Sequence, residues 1–114
     1  KPFSKKVAGF HSENTYLKFR FTIWVPLVGF KKKYSLKIIP ASHKIKHKKK
    51  WIYKNKIGVA KLYKEEYIKK FSKPVRLNLK LGEAILFHPY LIHGNSTNLG
   101  KNLRLSMEIR ICNN

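Results

Sequence analysis

Two stretches of strict alternation constrain this chain more than anything else in it. Residues 17–25 read Leu-Lys-Phe-Arg-Phe-Thr-Ile-Trp-Val, and residues 103–111 read Leu-Arg-Leu-Ser-Met-Glu-Ile-Arg-Ile. Successive side chains of an extended strand point to opposite faces, so a period of two gives each stretch one apolar and one mixed face. Helical spacing would scatter the same residues around the axis. In the second stretch Leu103, Leu105, Met107, Ile109 and Ile111 share one side, and Arg104, Ser106, Glu108 and Arg110 share the other.

Shorter signals fill the space between. Tyr34 to Ile39 reads as a strand stopped by Pro40, and Val75 to Leu81 alternates again. Gly82-Glu83 supplies a turn into the apolar run Ala84 to Phe87. The only helical candidate is Val59 to Phe71, with apolar residues at Leu62, Tyr63, Tyr67, Ile68 and Phe71. The lysine runs Lys31–Lys33 and Lys44–Lys50 read as loops. Many short strands joined by turns predict a mainly β protein, a sandwich or barrel with one short helix. At 114 residues the expectation is a single domain over 1–114.

Composition excludes several classes. With 43% hydrophobic residues the chain can bury a core, and no apolar run approaches the ~18–20 residues of a membrane span. No signal-peptide pattern opens the sequence, and a cytoplasmic protein is expected. The lone Cys112 rules out an internal disulfide. The net charge of +21 comes from 22 Lys and only 4 Arg, with no Asp at all. A nucleic-acid partner is disfavoured, because such proteins draw on the planar fork of Arg as well as on Lys. Lysine spread along the whole length reads as the coding bias of an AT-rich genome. The other reading is a functional positive field around Lys44, Lys46 and Lys48 to Lys50 that attracts anionic partners.

Chemistry concentrates near the C-terminus. His93 follows a short apolar strand, and Arg104 and Ser106 follow it by eleven and thirteen residues on the next strand. That spacing suits a metal ligand and an anion clamp on neighbouring strands of a barrel. Alone, His93 would read as a hydrogen-bonded structural histidine. His11 and Glu13, two residues apart, fall on one face of an extended segment. Two imidazoles and one carboxylate make a facial triad, which holds Fe(II) and leaves positions open for other ligands. Of the five carboxylates, Glu65 and Glu66 sit on the helix candidate, Glu83 in a turn, and Glu108 pairs with Arg110 or Arg104 on its strand. Glu13 is the remaining ligand choice. His88, five residues before His93, falls on the opposite strand face and reads as a rim residue. His43 reads as a turn residue at a strand exit, and His47 as a solvated member of a charged loop.

In order, His11-x-Glu13, Thr22-x-Trp24-x-Pro26-Leu27, Ser35-Leu36-x-x-Ile39-Pro40-x-Ser42-His43-Lys44, Gly82-Glu83-x-x-x-Phe87, His93 and Arg104-x-Ser106 resemble the phytanoyl-CoA dioxygenase-like family. The resemblance covers residues 10–111. It implies a double-stranded β-helix of the jelly-roll or cupin type and an Fe(II)- and 2-oxoglutarate-dependent oxygenase that oxidises a small organic substrate with molecular oxygen. By it, His11, Glu13 and His93 match the iron ligands, with Glu13 standing where the family usually has Asp. Arg104 matches the partner of the distal 2-oxoglutarate carboxylate, Ser106 its hydroxyl neighbour, and Trp24 a residue lining the cosubstrate pocket. Family members are usually about twice as long, so an N-terminally truncated copy is expected. The alternatives are a catalytically degenerate β-helix binding domain and a basic nucleic-acid-associated β-domain.

Overall fold

The computed structural model describes residues 9–12, 19–32, 35–54, 61–96 and 103–112. The chain is mainly β, and its two longest strands are the two alternating stretches. Strand β1 runs Phe19–Val28 and β8 runs Leu105–Cys112. They pair antiparallel, with Ile23 opposite Ile109 and Val25 opposite Met107. The short strand β6 (Ile85–Phe87) pairs with the other side of β1, which gives a large sheet of order β6-β1-β8.

Alternation forms the strand, but packing decides which face turns inward. Thr22, Trp24 and Pro26 are buried, while Phe21, Val25 and Ile23 are half-buried or exposed. The inward row therefore carries a tryptophan, a threonine and a proline in place of the β-branched and phenylalanine residues. Trp24 gathers Leu36, Phe87 and Leu91 into an inner core, with Phe30, Ile38 and Ile85 packed at its margin. A fully buried large side chain contributes on the order of 1.5–3 kcal/mol, so the wide indole anchors this layer. The other face of the large sheet presents Phe21, Leu86, Met107, Ile109 and Ile111, all about 40% exposed or more.

A small sheet lies opposite. It has the order β5-β2-β7, from β5 (Val75–Arg76), β2 (Lys37–Ile38) and β7 (His93–Gly94). Ile38 sits beside His93 in register, on the side facing the inner core, and Lys37 and Ile39 point the other way. Ile39 joins Ile92, Tyr63 and Tyr67 in a second, outer core. Over that core lies the hairpin of β3 (Ile52–Lys54) and β4 (Lys61–Tyr63), followed by the one-turn helix α1 (Glu65–Ile68).

Several sequence expectations change in length. The helical candidate over 59–71 splits: residues 61–63 are strand, α1 keeps only Glu65–Ile68, and positions 59 and 60 lie outside the described residues. Leu62 and Tyr63 are buried as strand residues, while the helix buries Tyr67 and packs a half-buried Ile68 against the outer core. The apparent helical spacing thus joins two elements. Only Val75–Arg76 of the 75–81 stretch forms strand, and the turn at Leu81-Gly82 is closed by Glu83, whose N–H donates to the Lys80 carbonyl. Among the described residues, no helix is long and apolar enough to cross a membrane.

Candidate metal centre

His11 and His93 meet as the fold closes. Residues 10 and 11 lie alongside β7, where the His11 N–H donates to the His93 carbonyl at 2.8 Å and the His93 N–H returns to the His11 carbonyl at 2.9 Å. Directly opposed residues of an antiparallel pair project to the same face. Their rings accordingly stand 4.3 Å apart between centroids, tilted by 59°. Gly94 allows the approach, because a Cβ there would lie 2.6 Å from the Gly9 carbonyl oxygen.

His93 is 2% exposed and faces the inner core, with the Phe87 ring 4.8 Å from its own. Its Nδ1 donates to the Leu91 carbonyl at 2.9 Å. A carbonyl only accepts, so this bond places the proton on Nδ1 and the lone pair on Nε2. An imidazole held by a backbone carbonyl through one nitrogen, with the lone pair on the other, has the form of a metal ligand. The His11 ring stands beside that of His93, so two imidazoles share one face. Among the described residues, no three His, Cys, Asp or Glu side chains form a metal-holding group. Glu13, the expected third ligand, lies outside the described residues.

Arg104 enters the same interior from the far end. Its guanidinium donates to the Ser96 carbonyl and lies 5.3 Å over the Phe30 ring. Phe30 meets Trp24 edge-on at 5.0 Å, and Trp24 shares the inner core with Phe87. An aromatic row thus links the arginine to the histidine pair. Gly29 opens the way for the chain entering β8: its φ is +77°, and a Cβ there would collide with the Leu103 carbonyl. Partial burial pushes the Arg104 pKa down from its ordinary value, a mark of a guanidinium stripped of part of its water. Trp24 is a core residue of this row. Ser106 is exposed and lies opposite Pro26 in register. Glu108 and Arg110 form the expected same-face ion pair at 2.9 Å.

Behind the small sheet, the structure corrects the sequence reading of His47. Far from being solvated, it is 2% exposed and enclosed by Tyr63, Tyr67 and Phe71. The Tyr67 hydroxyl donates to Nδ1 at 2.6 Å, and Nε2 donates to the Tyr90 carbonyl at 2.9 Å. Burial holds the His47 pKa below its usual 6.5 and pushes Tyr67 up. Ser42, which sequence reasoning passed over in favour of its neighbour, pins the strand exit. Its hydroxyl donates to the Ile39 carbonyl at 2.7 Å and accepts the Ile92 N–H at 2.8 Å. His43 is exposed in the same turn. His88 is also exposed; its Nδ1 accepts the Tyr90 N–H, and its ring lies 6.0 Å from that of His43.

Two sheets packed across an aromatic interior, with a pair of imidazoles on its inner wall, define a β-sandwich protein. The chain belongs to the phytanoyl-CoA dioxygenase family: the family model, Phytanoyl-CoA dioxygenase (PhyH), matches residues 1–106. At the level of the family, this carries Fe(II)- and 2-oxoglutarate-dependent oxygenase chemistry on a small-molecule substrate. No curated protein and no solved structure matches the chain.

Proposed function

We propose that this chain is an Fe(II)- and 2-oxoglutarate-dependent oxygenase in which His11, Glu13 and His93 hold the metal. The observation that carries this reading is the His11–His93 pair, joined by two backbone hydrogen bonds, with the His93 tautomer set by Leu91. Glu13 would complete the set from the segment that carries His11. When bound, iron and 2-oxoglutarate supply oxidation of a substrate C–H bond by dioxygen, with the cosubstrate released as succinate and carbon dioxide.

The chain's own residues do the rest. Arg104 binds the distal carboxylate of 2-oxoglutarate with Ser106 beside it, a charge-assisted contact strengthened by partial dehydration. Trp24, Phe30 and Phe87 pack between that arginine and the histidines and keep water from the interior. Lys44, Lys46 and Lys48 to Lys50 are all exposed on a segment whose centre, His47, is fixed in the outer core. They present positive charge from a defined backbone, which suits an anionic substrate bearing phosphate or carboxylate.

A titration with Co(II) or Mn(II) in place of iron, with and without 2-oxoglutarate, tests the assignment. The wild-type chain should bind one equivalent, and 2-oxoglutarate should tighten it. Arg104→Ala should keep the metal but weaken 2-oxoglutarate by a factor of tens to thousands, the effect of removing one partner of a desolvated charged contact worth about 2–5 kcal/mol. Unchanged 2-oxoglutarate affinity would remove Arg104 from the site. Absence of metal binding by the wild-type chain would leave a degenerate β-domain.

A further inference from the structure

Tyr63 holds the chain on both sides of His11. Its backbone N–H donates to the Phe10 carbonyl at 2.8 Å, and its hydroxyl shares a 2.6 Å hydrogen bond with Ser12 Oγ. His11 itself is bound through its N–H and carbonyl to His93. Three successive residues are therefore tied alternately to two different strands, residues 10 and 12 to Tyr63 on β4 and residue 11 to β7. Tyr63 is a firm anchor. It is 5% exposed, packs with Ile39, Tyr67 and Ile92, and has the His47 ring edge-on at 5.2 Å.

The alternation of an extended segment places Ser12 on the face opposite His11. A short segment held only by the two bonds to His93 could still pivot about them, and pivoting would swing the His11 imidazole across the inner face. The Ser12–Tyr63 bond acts on the other face, where it resists that rotation. We infer that Tyr63 is a positioning residue for the metal centre: through Ser12 it fixes the direction in which His11 presents its ring beside His93. This rests on the reading of His11 and His93 as metal ligands. It adds the claim that the outer core tunes how tightly the metal is held.

The test is Co(II) affinity, followed by visible absorption, together with the thermal midpoint of each metal-free variant of the complete chain. Tyr63→Phe keeps the ring and the backbone bond and removes only the hydroxyl; Ser12→Ala removes its partner. Each should weaken Co(II) by about tenfold, the low end of what losing a ligand-orienting contact does to metal affinity. The double variant should be no weaker than the worse single one, because both remove the same bond. Ser12→Thr, which retains the hydroxyl, should restore affinity. A lowered midpoint with Co(II) affinity within twofold of wild type in both single variants would reduce the contact to packing and overturn the inference. His93→Ala is measured in parallel. If it binds Co(II) as wild type does, the metal reading fails and the inference with it. If it loses Co(II) while Tyr63→Phe and Ser12→Ala do not, the inference alone fails.

Discussion

The small sheet buries one histidine on each side, and the two differ in a single nitrogen. His93 on the inner side and His47 on the outer side are both 2% exposed. Both donate to a backbone carbonyl at 2.9 Å, His93 to Leu91 and His47 to Tyr90. The second nitrogen of His47 accepts the Tyr67 hydroxyl, so its ring is consumed as a structural crosslink between a lysine-rich loop and the outer core. The second nitrogen of His93 stands on the wall it shares with His11. Burial and a fixed tautomer are therefore common to a structural histidine and to the proposed ligand. The neighbour of the second nitrogen separates them.

That contrast can be broken most directly with one substitution on each side. His93→Ala should weaken Co(II) by more than about 100-fold, since a ligand is lost and not merely its support. His47→Phe should leave Co(II) affinity within about threefold. If His47→Phe abolished metal binding, the division between the two faces would be wrong.

Stability should show the reverse order. His47→Phe leaves the Tyr67 hydroxyl and the Tyr90 carbonyl to find new partners in an apolar setting, at a cost of about 1–3 kcal/mol in denaturant unfolding. The wild-type protein should also carry a pH signature that this variant loses. Burial depresses the folded pKa of His47, so below pH ~6.5 the unfolded chain takes a proton that the folded chain refuses. Stability is then full above that pH and declines as pH falls; the exposed His88, shifted the same way by burial and His43, adds to the trend. Urea unfolding of the metal-free protein between pH 5 and 8 should show a flatter profile in His47→Phe.

Smaller effects sharpen the picture of the inner wall. Thr22 is fully buried, and its Oγ1 has no hydrogen-bond partner among the described residues. Thr22→Val keeps the shape and removes an unsatisfied hydroxyl, so it should raise stability by about 1 kcal/mol. A loss of stability would show that the hydroxyl is bonded. Least of all, replacing Lys46, Lys48, Lys49 and Lys50 by Gln should slow substrate capture several-fold at low salt and leave it unchanged at high salt. Equal rates at both salt concentrations would return these lysines to genome bias.

What could be read in advance follows the range of each interaction. The strands β1 and β8 were legible because alternation is local and long. The inward face of β1 was not, because Lys18 and Arg20 flank Thr22 and Trp24 and make that side look polar. The strand positions of His93 and Ser106 were legible from the local pattern, but not that β7 and β8 belong to different sheets. His47 was hidden by its lysine neighbours: its partners Tyr67 and Tyr90 lie 20 and 43 residues away. Tyr63 was hidden inside a false helical period, and its bond to Ser12 spans 51 residues. Contacts of that range leave no trace in a window of a dozen residues.

The outward face of the large sheet bears on how the protein behaves in the tube. Leu86, Phe21, Met107, Ile109 and Ile111 form a greasy strip, and β8 ends the sheet among the described residues, with paired backbone groups only on its β1 side. A strip beside such a margin is adhesive toward its own kind. The net charge of +21 opposes that adhesion over a distance that shrinks from ~30 Å in dilute buffer to ~3 Å in molar salt. Concentrated stocks should therefore stay clear in dilute buffer and turn cloudy in brine, so the usual remedy for a sticky basic protein is the one to avoid here.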